Sequence, residues 1–111
     1  MKRLFISQPF TGKTEEEVFV IRKKVEKFVV DFIGEEVEVI DQYHQDAPPN
    51  PGRLFYLGNS IKLMGTSDIV CFTSDWRDAP GCRVEMSVCL EYGITHLIMD
   101  PIRIDRVVVK G

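Results

Sequence analysis

Glu85 is badly placed for solvent if the residues around it form a helix. Over the stretch from about Cys82 to Tyr92, a turn of about 100° per residue sets Arg83, Ser87 and Glu91 on one polar stripe. Glu85 falls almost opposite, among Cys82, Val88, Cys89 and Tyr92. A carboxylate on an apolar face is costly unless it is paired or used, because desolvation penalises its charge. A place in the first helical turn would favour the anion through the helix dipole. Two readings stay open: a functional carboxylate at a crevice, or a helix-start carboxylate whose side chain curls out to water.

The preceding loop, Ser74-Asp75-Trp76-Arg77-Asp78-Ala79-Pro80-Gly81, holds the single tryptophan beside two aspartates. Such a ring can stack on a base or sugar face, or it can plug the core; composition favours neither. A third candidate lies near the N-terminus. Ser7-Gln8-Pro9-Phe10-Thr11-Gly12-Lys13-Thr14 fits a phosphate-binding loop except that Ser7 stands where its first glycine belongs. That substitution, and Asp68 at the start instead of the end of its strand, argue against nucleotide triphosphate cleavage. What remains is a loop that could offer N–H groups to an anion or hydroxyl-rich ligand, or an ordinary capped helix start.

The elements that position these residues follow from periodicity. Leu4-Phe5-Ile6 is a buried strand, and Thr14 with Glu17 has capping-box spacing. Val18, Ile21, Val25, Phe28 and Phe32 predict an amphipathic helix over about 14–33, closed by Gly34. Val37, Val39 and Ile40 form a second strand. A long proline-rich loop follows, with Tyr43 as a ligand contact and His44 exposed. Leu54, Leu57, Ile61 and Met64 support a second helix, and Asp68-Ile69-Val70-Cys71-Phe72 a buried strand. The third helix, from about Cys82 to Tyr92, ends at Gly93. His96-Leu97-Ile98-Met99 is a fourth strand, and Val107-Val108-Val109 an edge strand or a tail. This alternation predicts a single α/β domain over 1–111, a four- to five-stranded, mostly parallel, flavodoxin/Rossmann-like sheet flanked by helices. Ligands of such sheets bind beyond the carboxyl ends of the strands, which gathers the three candidate loops around one crevice.

Composition narrows the partners. Fourteen Lys and Arg against seventeen Asp and Glu give a net charge of −3, which excludes global attraction to a nucleic-acid polymer. No apolar run approaches the roughly 18 residues of a membrane span, and the one near the N-terminus is too short for a signal-peptide core. Three unevenly spaced cysteines argue against a disulfide framework and for a reducing, cytoplasmic setting. No Cys or His spacing suits structural zinc, Cys82 and Cys89 read as small core residues, and no cofactor motif is present.

Taken in order, these residues resemble a known group. A strand followed by Ser7-Gln8-Pro9-Phe10-Thr11-Gly12 looks like the start of the nucleoside 2-deoxyribosyltransferase-like superfamily. Ser67-Asp68-Ile69-Val70, the polar loop, Gly81-Cys82-Arg83-Val84-Glu85 and Gly93 match its order of strand, loop and helix. Tyr56-Leu57-Gly58-Asn59-Ser60 and Trp76 to Glu85 resemble a bacterial and phage branch of unknown function.

The resemblance implies an N-glycosidic bond enzyme, hydrolase or deoxyribosyltransferase, with Glu85 as the nucleophile on the anomeric carbon. It also implies that the N-terminal position of Glu85 helps keep it ionised. Asp75 and Asp78 would handle protons. Ser7, Gln8, Phe10, Gly12, Lys13, Tyr43, Ser60, Trp76 and Gly81 would line the substrate site, with Lys13 steadying any anionic group. The implied partner is a small nucleoside or nucleotide, and the implied assembly a homodimer or larger oligomer. Ser60 stands where well-studied members carry an aspartate, Ala79 where transferases carry an acid, and Phe5 where some carry a tyrosine. A serine can hydrogen-bond but cannot carry a proton to a leaving base, which motivates a second expectation, a non-catalytic nucleotide-like binding or regulatory module.

Overall fold

The computed structural model describes residues 1–42 and 47–99, and the backbone of 107–110. Tyr43 and His44 lie outside the described residues. The chain runs β1 (Lys2–Ser7), α1 (Glu15–Ile33), β2 (Val37–Val39), α2 (Arg53–Met64), β3 (Ile69–Thr73), a 3-10 turn (Trp76–Asp78), α3 (Pro80–Tyr92), β4 (His96–Met99) and β5 (Val107–Lys110). The strands form one sheet in the order β2-β1-β3-β4-β5. The first four are parallel, and β5 is antiparallel on β4. No helix among the described residues is long and apolar enough to cross a membrane.

Alternation along the strands splits the core in two. Leu4, Ile6, Ile69, Cys71, Leu97 and Met99 face Val25 and Val29 of α1. Phe5, Val70 and Phe72 face Met64 of α2 and Met86 and Cys89 of α3. This two-sided burial is what a parallel sheet sandwiched by helices requires.

The helix ends follow local chemistry. Thr14 caps α1 through its hydroxyl on the Glu17 N–H at 3.1 Å, and the Glu17 carboxylate returns to the Thr14 N–H at 3.1 Å. Gly34 and Gly93 close α1 and α3 at φ of 77° and 66°, a backbone that favours glycine. Two expectations need correction. Helix α3 starts at Pro80, not Cys82, because proline's fixed φ and missing N–H suit the first helical position. The apolar spacing of α2 buries only Met64 fully, while Leu54 is 79% exposed. Phe32 of α1 is likewise half-exposed.

The opposite pole of the sheet is pinned separately. The Arg3 N–H donates to Asp68 Oδ2 at 2.8 Å, and its guanidinium meets Glu38 at 2.8 Å. Asp68 is therefore structural and far from the loops that follow the strands.

Candidate functional site

β1 and β3 lie side by side, with Ser7 in register with Phe72. Their connections leave in opposite directions across the sheet, α1 to one face and α3 to the other, so a crevice opens between their carboxyl ends. Ser7 closes β1 there, Thr73 closes β3, and α3 begins just beyond.

Glu85 sits in the second turn of α3 and is only 7% exposed. Cys82 and Cys89 are buried beside it on the same helix face, and Arg83, Ser87 and Glu91 are exposed, as the spacing predicts. Tyr92, expected on the buried face, is exposed. The Ser7 hydroxyl donates to Glu85 Oε1 at 2.6 Å. Among the described residues no other hydrogen bond reaches this carboxylate, so Oε2 has no fixed partner.

The helix dipole does not decide how Glu85 titrates. Burial raises its pKa to about 7, against a smaller lowering by the Ser7 hydrogen bond. The expectation that its N-terminal position keeps it ionised is thus corrected. Because α3 starts at Pro80, Glu85 lies beyond the first turn, where the dipole has faded. At neutral pH the carboxyl is near half ionisation. A Ser7→Ala variant is expected to move that titration further upward, since the lowering contact is lost while burial persists. The measurement is the carboxyl chemical shift of Glu85 against pH; a midpoint that stays put or falls would contradict the role given to Ser7.

Asp75 behaves in the opposite sense. Burial pulls its pKa up, but Thr73 and Lys13 together outweigh that and hold it below the ordinary carboxylate value. Thr73 Oγ1 donates to Oδ1 at 2.6 Å, and Lys13 Nζ meets Oδ2 at 3.2 Å. The two carboxyls are thus pushed in opposite directions, Glu85 upward and Asp75 downward. Cys82 links them: burial raises its thiol to about 11, and the charges of Glu85 and Asp75 both push it upward.

The loop after β1 turns tightly, with the Lys13 N–H on the Phe10 carbonyl at 3.1 Å and Gly12 at φ 78°. Phe10 is part-exposed at its tip. This loop is a capped helix start and not an anion cradle. The first turn of α1 carries Glu15, Glu16 and Glu17, and the capping box occupies the N–H groups of Thr14 and Glu17. Lys13 reaches Asp75 instead of standing free.

Trp76 is half-buried, its ring packed edge-on to Phe72 at 6.1 Å and covered by the Arg77 guanidinium at 4.5 Å. It both caps the core and lies on the loop beside Asp75. Asp78 is exposed in the 3-10 turn, Gly81 half-buried in the first turn of α3, and Ser60 half-buried on α2. The structure thus brings together Ser7, Lys13, Asp75, Cys82 and Glu85, but no hydrogen bond ties Ser60 or Asp78 to Glu85.

One buried network was not anticipated. Arg22 of α1 is 6% exposed and donates to Gln8 Oε1 at 3.4 Å, the Ile40 carbonyl at 3.0 Å and Gln42 Oε1 at 3.2 Å. Gln42 in turn donates to the Ile6 carbonyl, and Gln8 to the Val18 carbonyl at 3.5 Å. The guanidinium so ties the loops after β1 and β2 to α1. The signal was present in the sequence: Arg22 lies four residues after Val18 and three before Val25, inside the apolar stripe. Gln8, expected in the substrate wall, is turned into this network.

Among the described residues no cluster of three His, Cys, Asp or Glu side chains could hold a metal ion. A shallow hollow over Glu15, Glu16, Phe19, Val20 and Lys23 lies on α1 and shares no residue with the crevice.

Neither a family model nor a curated protein sequence matches the chain. A solved structure does. The 2-deoxyribosyltransferase of the psychrotolerant bacterium Bacillus psychrosaccharolyticus superposes with a TM-score of 0.58 over 89% of this chain and 72% of that one. The sequences are 17% identical over the match. The fold is 2-deoxyribosyltransferase-like. At that identity the likeness concerns the fold, and the chemistry must be argued from the crevice itself.

Proposed function

We propose that the crevice cleaves or transfers the N-glycosidic bond of a 2-deoxynucleoside or its nucleotide, with Glu85 as nucleophile. The observation that carries this is a buried carboxylate at the carboxyl ends of β1 and β3, fixed through one oxygen by Ser7 at 2.6 Å. Among the described residues its other oxygen has no hydrogen-bond partner. In the reaction, Glu85 Oε2 attacks the anomeric carbon as the carbon–nitrogen bond breaks and the bonding pair leaves with the base. The base takes up a proton from solvent water, and an ester joins sugar to enzyme. Water or a second base then attacks the same carbon, and the carboxylate departs, which divides one difficult displacement into two easier ones.

Asp75, held ionised, faces the positive charge that develops on the sugar, and Asp78 is the further carboxylate of that loop. Ser7, Phe10, Gly12 and Lys13 form one wall, with Gln8 behind it in the Arg22 network. Trp76 offers its ring to the base in place of Arg77, with Gly81 and Ser60 bordering the sugar. The fold likeness supports this reading, as does the motif resemblance to the bacterial and phage branch of the superfamily. Three free, buried cysteines suit a reducing cytoplasm. Leu54, Tyr56, Leu90 and Tyr92 stand exposed on α2 and α3 and suit a homo-oligomer.

The test is incubation with the four common 2′-deoxynucleosides and their monophosphates, with and without an acceptor base, separating free base by chromatography. Release of base from at least one is expected, and release from none would end the reading. Ser60, a hydroxyl and not a carboxylate, favours a second reading, a module that binds a nucleotide-like ligand without turnover. Calorimetric binding with no base released would establish that one.

A further inference from the structure

We propose that Asp75 is the specificity-determining residue of this crevice, which by pairing with Lys13 makes the site take the uncharged nucleoside and refuse the nucleoside monophosphate. The proposal rests on the nucleoside reading above and decides between the two substrate classes it leaves open.

The argument is about where the cations are spent. Among the described residues, the ammonium that the crevice loops bring in is Lys13, engaged by Asp75 Oδ2 at 3.2 Å. Thr73 donates to the other oxygen of Asp75 at 2.6 Å, which holds the carboxylate turned toward the lysine. Arg22 is turned into its own network with Gln8, Ile40 and Gln42. Arg77 lies over Trp76, and Arg83 Nη1 donates to the Arg77 carbonyl at 2.6 Å. The start of α1 is filled by its capping box and three glutamates.

One feature would welcome a phosphate. The first turn of α3 has no acidic residue and no side-chain cap, and helix N-termini favour anions. Asp75 lies a few residues before that turn, and its charge both opposes an anion there and occupies Lys13. The parts of a phosphate site are thus present, held off by one carboxylate. Removing that charge frees the ammonium and ends the repulsion together. The pair is about one-third exposed on each side, between a screened surface pair and a desolvated one. The expected effect is therefore about tenfold in relative affinity.

The experiment measures calorimetric affinities of each 2′-deoxynucleoside and its 5′-monophosphate for the native protein, Asp75→Asn, Lys13→Met and the double variant, each first shown folded by circular dichroism. The native protein is expected to prefer the nucleoside. Asp75→Asn should shift the ratio about tenfold toward the monophosphate. Lys13→Met should shift it the other way, because Asp75 is left uncompensated, and the double variant should lose most of the Asp75→Asn gain. A native preference for the monophosphate, or a ratio unmoved by Asp75→Asn, overturns the proposal while leaving the nucleoside reading intact. Binding of neither ligand class by the native protein overturns both. The Lys13→Met arm keeps the test decisive if Asp75→Asn does not fold.

Discussion

Replacing Glu85 with glutamine is expected to abolish base release and, above pH 7, to make the protein more stable. Both effects come from the same buried carboxyl. An amide cannot form the sugar ester, so the loss in rate is at least about a thousandfold, as when other covalent nucleophiles are removed. The stability effect follows from the direction of the shift. Burial raises the Glu85 pKa from its ordinary 4.5 to about 7, so the folded protein holds this proton more tightly than the unfolded chain does. Stability is then greatest near or below pH 4.5 and declines as pH rises to 7, where the folded protein must bury a charge.

Glutamine removes that decline while still accepting the Ser7 hydrogen bond. The gain should be on the order of 3 kcal/mol at pH 8 and much smaller at pH 5. Urea unfolding of both proteins at the two pH values measures it. Equal stability differences at pH 5 and pH 8 would show that Glu85 does not titrate as its burial implies, and a variant that still releases base would remove it from the mechanism.

Arg22→Met is expected to lower stability by about 2–4 kcal/mol, the larger part of a small domain's margin. The change leaves Gln8 Oε1, Gln42 Oε1 and the Ile40 carbonyl without their shared donor. Methionine fills similar volume and spares the burial of a charge, which offsets part of the loss. Arg22→Lys should recover little, because an ammonium cannot span acceptors that a planar fork reaches together. Denaturant unfolding measures the loss, and hydrogen exchange at the Ile40 N–H, bonded to the Leu4 carbonyl at 2.8 Å, should quicken more than exchange in the last turns of α1. A loss under about 1 kcal/mol would mean that the two glutamines find other donors and that the guanidinium is not what binds the loops together.

The contrast between these residues shows what the sequence could reveal. The capping box of Thr14 and Glu17, the glycines at 34 and 93, and the buried face around Glu85 are local, set by spacing within a few turns, and each was legible. Arg22 was legible in position but not in role, because its partners lie in two other segments. The start of α3 is hidden because Pro80 suits a loop as well as the first helical position. The titration of Glu85 was misjudged because a dipole can be inferred from position whereas depth of burial depends on the sheet beneath. Leu54 misled for the same reason: apolar spacing marks a face, not what covers it. The Lys13–Asp75 pair joins residues 62 positions apart, and no pattern in either segment announces the other.

Ser7 and Glu85 lie 78 positions apart, and this separation governs when the site comes into being. Parallel pairing of β1 with β3 is a non-local event that works against the entropy of closing a long loop. Only after α3 has crossed over and docked do the hydroxyl and the carboxyl meet. During synthesis, most of the chain must therefore emerge before any carboxylate is desolvated in the crevice. Any reactivity belongs to the finished fold, with no fragment able to act ahead of it.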